Sequence, residues 1–243
     1  MQILICLIAT TILMAFSPLA FSQPTVDPEA EKILKKLQNY MQTQDTVAIE
    51  AVITEDEVFN DTHKLQFGGT IKMLMRRQPP QLSVTTNSDY RNTRTYLNKN
   101  TFTAFDEDVN VYAQVDAPGT LKEALTHLNA EYSILQPGSE LFSGQPYELL
   151  VGKASKVIYV GTGNVNGSSC HHIAGILPDM DWQLWIRAEG DPMICKYVLT
   201  DRDIPLAPQY SMTFTKWKTN TKLTDKQFEF QPPADAEAIE IIK

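Results

Sequence analysis

Apolar residues recur at every second position through most of the chain from Val47 onward, and such a chain must bury one face of a large antiparallel sheet. Val47, Ile49, Ala51 and Ile53 alternate with Ala48, Glu50 and Val52. The polar loop Asn60-Asp61-Thr62 separates that strand from one carrying Ile71, Met73 and Met75 on a single face. Gln78-Pro79-Pro80 ends it, because proline cannot donate to a ladder. Shorter strands are expected at 82–86, 93–97, 101–105 and 111–115, divided by Asn, Asp and Lys turns. After Gly152 the alternation returns at 157–164, 169–177, 182–187, 193–200, 210–217 and 228–230.

Two stretches follow a helical period instead. Asp27, Pro28 and Glu29 read as N-cap, N1 and N2 of a helix ending near Gln44, with Ile33, Leu34, Leu37, Tyr40 and Met41 on one stripe. Thr120 and Glu123 have capping-box spacing, and Leu121, Ala124, Leu125 and Leu128 supply the stripe of the helix they open. Residues 139–151 read as one or two helical turns, with Pro146 near a start. No repeat, low-complexity segment or interdomain linker interrupts the chain. The expectation is one α+β domain over residues 23–243. A strongly curved antiparallel sheet of about eleven strands would carry an N-terminal helix and a helical insertion at 120–151 as its lid.

The inward faces are rich in pliable side chains. Tyr210, Met212 and Phe214 form one, Trp182, Leu184 and Ile186 another, and Met193, Cys195, Tyr197 and Leu199 a third. Methionine adapts to irregular partners, so these faces suit either a cavity for acyl chains or an ordinary packed core. Arg77 continues the Ile71, Met73, Met75 row, and a charge at the end of an apolar row belongs at a rim. There it would pair with a carboxylate or reach a lid carbonyl, unless it is simply solvated.

The first 22 residues contain no charged side chain. Gln2 to Phe16 is apolar apart from a few small polar residues, Ser17-Pro18 breaks the run, and Ala20-Phe21-Ser22 has the small-residue spacing of a signal peptidase site. Cleavage after Ser22 and release to the periplasm are expected, with no stable membrane insertion afterwards. An uncleaved anchor is the competing reading. Cys6 lacks the context of a lipid-attachment cysteine. A net charge of −8 lacks the basic footprint that phosphate backbones or anionic membranes demand, so nucleic acid is excluded as the main partner. Cys170 and Cys195 fall on strands with a third expected between them. Next-but-one strands lie roughly 9–10 Å apart, beyond disulfide reach, so free buried thiols are expected.

Several segments together resemble a bacterial family of uncharacterised predicted periplasmic proteins. They are Met73-Leu-Met-Arg-Arg-Gln-Pro-Pro, Phe105-Asp-Glu-Asp-Val-Asn-Val-Tyr, Asn166-Gly-Ser-Ser-Cys-His-His, Asp181-Trp-Gln-Leu-Trp-Ile and Phe228-Glu-Phe-Gln-Pro-Pro-Ala-Asp. The basic pair before proline, the aromatic–Asp turn and the terminal Phe-x-Phe-x-Pro-Pro are also distantly similar to the LolA and LolB lipoprotein carriers. That second resemblance implies an incomplete barrel with helices over an apolar cavity that accepts acyl chains. It also implies a lid-latching arginine, matched by position at Arg77, although Gln78 intervenes before the proline.

Reactive chemistry finds little support. Asp106-x-Asp108-x-Asn110 copies a calcium loop only as far as Val111, which stands where glycine is needed, and Ala117 cannot supply the bidentate carboxylate. Cys170 and His171 point to opposite faces of a strand, and Cys170 with His172 makes two ligands without a third. His63 and His127 lie elsewhere. No Gly-x-Ser-x-Gly or supported Ser-x-x-Lys occurs, Gly161-Thr-Gly163 lacks a third glycine, and Glu55 and Glu57 read as ordinary carboxylates on a solvated strand edge. No metal or cofactor is expected, and no enzymatic activity.

The expected function is therefore binding or carriage of an apolar or acylated small molecule, or of a lipoprotein. Ile71, Met73, Met75, Trp182, Leu184, Ile186, Met212 and Phe214 would line the cavity, Arg77 would sit at its rim, and Leu121, Leu125 and Leu128 would face it from the lid. The alternatives are an envelope interaction module with a filled core, meeting a protein partner near Trp185 and Trp217, and an enzyme of unrecognised type centred on Cys170, His171 or His172.

Overall fold

A computed structural model describes residues 25–134 and 138–241. The expected signal segment and its cleavage site lie outside the described residues. No helix among the described residues is long and apolar enough to cross a membrane. The chain starts with β1 (Thr25–Val26) and α1 (Pro28–Gln42), where the Asp27 carboxylate accepts from the Glu29 and Ala30 amides at 2.8 and 3.3 Å. The apolar stripe of α1 is buried at Ala30, Ile33, Leu34, Leu37 and Met41. A first meander follows: β2 (Thr46–Phe59), β3 (His63–Arg76), β4 (Gln81–Ser88), β5 (Asn92–Asn98), β6 (Thr101–Asp106) and β7 (Val111–Asp116).

The lid insertion comprises α2 (Leu121–Tyr132), α3 (Ser139–Phe142) and α4 (Pro146–Val151). The Thr120–Glu123 capping box forms in full. A second meander runs through β8 (Lys156–Val165), β9 (Ser168–Ile176), β10 (Met180–Arg187), β11 (Ile194–Asp201) and β12 (Gln209–Thr219), and β13 (Glu237–Ala238) closes the chain. These thirteen strands form one curved sheet in the order β1-β8-β9-β10-β11-β12-β2-β3-β4-β5-β6-β7-β13. The meanders join through antiparallel pairing of β12 with β2. Each edge ends in a two-residue parallel strand, which leaves little ladder for another chain to extend.

Three expectations need correction. Phe228–Phe230 is not a strand. Asp225–Phe228 forms a 3-10 turn, and the segment crosses the outer face of the first meander. Phe228 is fully buried under the Arg76 guanidinium, while Phe230 packs against Tyr96, Phe105 and Tyr112. Aromatic burial across a finished sheet outweighs adding another strand to it.

Nor does Met193 lead the inward row of β11. A bulge sets Trp185 opposite Lys196 and Ile186 opposite Ile194, so Cys195 is the extra residue and Ile194 takes the core position.

The same bulge overturns the free-thiol expectation. Cys170 lies opposite Arg187, the last residue of β10, so the intervening strand is ending where the cysteines face each other. Their Cα atoms come to 6.8 Å and a disulfide joins them. The linkage closes a loop with a sequence separation of 25, for which chain entropy gives about 3.5 kcal/mol. Replacing both cysteines by serine should lower the unfolding free energy by about that amount in urea titrations. Peptide mapping without reductant should recover the two cysteines as one linked peptide pair, and free thiols on both would refute the assignment.

Candidate functional site

The inner face of the sheet divides into a covered half and an open half. Cross-strand register builds its rows. One runs Val47–Met75–Leu82–Leu97–Phe102–Val115, the next Ile49–Met73–Val84–Thr95–Ala104–Ala113, and a third Phe214–Ala51–Ile71–Thr86–Thr93–Asp106–Val111. The first row is apolar and buried as far as Phe102, and the second is apolar from Ile49 to Val84 but reaches the open face at Thr95, Ala104 and Ala113. Further along the same strands the side chains turn polar, and the face opens to solvent.

Two spaces result. Beneath α2 and α3 lies an apolar hollow of about 30 Å³, lined by Ile49, Ile71, Met73, Leu82, Val84, Leu121, Leu125, Gly138, Ser139, Phe142 and Met212. A void that small holds about one water molecule. Beyond Ile71 the face widens into an open cleft of about 620 Å³. Its walls come from β2, β4, β5, β6, β7 and β12, with Ile239 and Ile241 after β13. Ile71 lines both spaces.

The residues expected to line a cavity therefore separate. Ile71, Met73 and Met212, with Leu121 and Leu125 from the lid, surround the small hollow. Met75, Trp182, Leu184 and Ile186 do not. They are almost completely excluded from solvent within the continuous core that includes α1 and α4. Trp182 also donates its indole N–H to the Leu150 carbonyl of α4 at 3.0 Å, and its ring lies where a Cβ on Gly175 would stand. Phe214 faces Phe142 and Trp217, and Leu128 is buried in the same core. The periodicity that put these side chains inward is correct, but the core they share with the helices already fills the space above them.

Arg77 sits just past β3 and donates through Nε to the Gln44 carbonyl at 2.9 Å and through Nη2 to the Met41 carbonyl at 2.7 Å. It thus satisfies carbonyls at the C-terminal end of α1, where a cation is favoured. A Cβ on Gly144, between α3 and α4, would stand 2.6 Å from its Nη1. Arg77 is therefore wedged between α1 and the lid. Burial lowers the basicity of its guanidinium, and Asp45 opposes that effect.

The remaining candidates sit apart. Tyr159 and the His171 ring share a hydrogen bond of 3.0 Å, while His172 bonds Gln183 at 3.1 Å and stacks on Trp185 at 4.0 Å. Burial holds His172 below its ordinary value, offset by Gln183 and assisted by Lys196. Trp217 and Trp185 are both half-buried, but Trp217 pairs with inward Ile49 and stacks on Phe142, whereas Trp185 lies on the outer face beside His172. Asp106 accepts from the Asp108 and Val109 amides and from Arg91, as a turn-forming aspartate does. Among the described residues no cluster of three or more metal-ligating side chains occurs.

Sequence reasoning missed the polar part of the cleft. Glu55 and Glu57 continue the inward row Ile49, Ala51, Ile53 and face into it. The signal was present, since all five share one parity. Burial, and then the like charge of Glu57, hold the Glu55 carboxyl above the usual carboxylate range. A raised folded value means that Glu55 favours folding while protonated, and that this contribution is lost as pH rises through the folded value. Ionised Glu55 thus weakens the fold at neutral pH. Glu55→Gln should raise the Tm at about pH 7.5, and the gain should shrink towards pH 4. A lowered Tm at pH 7.5 in thermal denaturation would contradict this account.

No curated protein matches the chain by sequence. Among solved structures, an uncharacterized conserved protein from Thermus thermophilus aligns with a TM-score of 0.52 at 11% identity, covering 87% of this chain and 99% of that one. The lipoprotein LppX of Mycobacterium tuberculosis aligns with a TM-score of 0.51 at 14% identity, covering 82% and 98%. A LolA superfamily protein from Nitrosomonas europaea aligns at 0.37 and 10% identity, covering 83% and 97%. At these identities the first two likenesses establish the fold alone: a large, open, curved antiparallel sheet with few helices. A family model described as predicted periplasmic protein, DUF2092, matches residues 30–242, and the chain belongs to that family.

Proposed function

We propose that the protein is a periplasmic binding or carrier protein for a lipid or acylated ligand. The observation that supports this best is the adjacency of the open cleft and the apolar hollow, with Ile71 lining both. A cleft of about 620 Å³ is within the size range of small-molecule sites. The hollow of about 30 Å³ is not, so the hydrocarbon part must enter by displacing α2 from the sheet. Leu121 and Leu125, whose side chains close the hollow from above, would then rest on the ligand. Burial drives such binding at about 0.8 kcal/mol per methylene. Release needs a state with α2 open, favoured by whatever accepts the cargo. Arg77, wedged between α1 and Gly144, would hold the closed position.

A second reading is favoured by the tightness of the hollow. On it the protein is an envelope interaction module with a filled core, meeting a protein partner through its outer face near Trp185. Native mass spectrometry of protein purified from its own periplasm without detergent separates the two. The carrier reading expects one adduct with the mass of a lipid or acyl compound. It also expects at least a tenfold weaker uptake of added monoolein, an uncharged lipid, when Leu125 is replaced by glutamate. A bare polypeptide mass, together with no uptake of monoolein by the unaltered protein, would end the carrier reading and leave the module.

A further inference from the structure

The ligand's head group is the part that the cleft itself can specify. On β2, outward-facing Asp56 is neutralised by Lys64 at 3.1 Å and accepts from Gln66 and from the Gln209 amide. Its inward neighbours Glu55 and Glu57 pair with no cation among the described residues. The third carboxylate of the cleft, Asp106, is held by Arg91 at 2.7 Å. Two unneutralised negative charges therefore stand at one end of a partly apolar trough. An independent observation points to an occupant of the cleft: Thr95, only 8% exposed, lines it on β5 towards the hollow, and its hydroxyl has no hydrogen-bond partner among the described residues.

The distances suit an amphiphile. Glu55 lies four residues along β2 from Ala51, which faces Ile71 across the ladder. At strand rise that is roughly 13 Å of backbone from Glu55 to the mouth of the hollow, a span that a medium-length alkyl chain covers. Ile53 and Ile71 floor the path between. An anionic head group would bring a third negative charge beside Glu55 and Glu57, whereas a cationic one would relieve their repulsion and their partial desolvation.

We infer that the cleft takes an amphiphile with a positively charged head, an amine or guanidinium, seated between Glu55 and Glu57, with its hydrocarbon body running over Ile53 and Ile71 towards α2. This inference rests on the carrier reading and narrows it to one class of cargo. The test is calorimetric titration of the full mature protein, at low salt and below micelle formation, with decylammonium and decanoate as matched probes of opposite charge. Decylammonium should bind at least tenfold more tightly than decanoate. The double variant Glu55→Gln with Glu57→Gln should erase that preference by weakening decylammonium and leaving decanoate equal or stronger. Glu55→Gln is expected to stabilise the fold, so loss of structure does not confound the result.

Equal affinity for the two probes in the unaltered protein, or a preference that survives the double variant, overturns the head-group assignment while leaving the carrier reading intact. Binding of neither probe overturns both. Tighter binding of decanoate reverses the assignment in favour of an anionic amphiphile.

Discussion

The pairing of β12 with β2 is the contact on which the rest of this fold depends. It runs from Tyr210 opposite Glu55 to Thr219 opposite Val47, with a bulge between Phe214 and Lys216. The bulge frees Thr215, whose hydroxyl donates to the Glu50 carbonyl at 3.1 Å. Without this seam the two meanders would be separate sheets with exposed edges. With it, the inward rows continue across both, and Met212 and Phe214 reach the same core as Ile49 and Met73. The pairing joins residues more than 150 positions apart, so it carries a high loop-closure cost that the shared core must offset.

Once the sheet is joined, the helices decide which part of its concave side is interior. The region around Trp182 and Met75 is filled completely, with α4 bonded to Trp182 through Leu150, and α2 with α3 covers the region around Met73 incompletely. The rest stays open. There β2 exchanges isoleucine for glutamate at unchanged parity, and the same strand that supplies the core supplies the wall of the cleft. Clustering two carboxylates in a partly buried trough costs stability, which a fold tolerates more readily where function requires it.

The outer face has its own organisation. Arg76 donates to Gln81, Asp225 and the Leu223 carbonyl while lying over Phe228. The C-terminal segment is thereby strapped across the first meander before β13 reaches the edge beside β7. The two arginines of the basic pair thus lie on opposite sides of the wall: Arg77 donates to carbonyls at the end of α1 and abuts Gly144 inside, and Arg76 holds the tail over Phe228 outside.

Local order was written plainly in the sequence. The caps at Asp27 and Thr120, the proline stop at Pro79, the turns and the parity of nearly every long strand depend on residues within one or two turns of each other, and periodicity reports them directly. The family and the lidded curved sheet followed from motifs and order of elements. Only the tertiary structure decided what depends on distant neighbours. The partner of β2, the short edge strands, and the bulge that brings Cys195 to Cys170 are not encoded in any local period. Nor is the volume above an inward face, because alternation says which way Trp182 and Met73 point but not whether a helix already fills the space in front of them. The opposite failure occurred at Glu55 and Glu57, where parity placed them inward and their charge argued them outward. The absence of a covering helix reconciles the two, since an inward position on an uncovered stretch of sheet is still wet enough to hold a carboxylate.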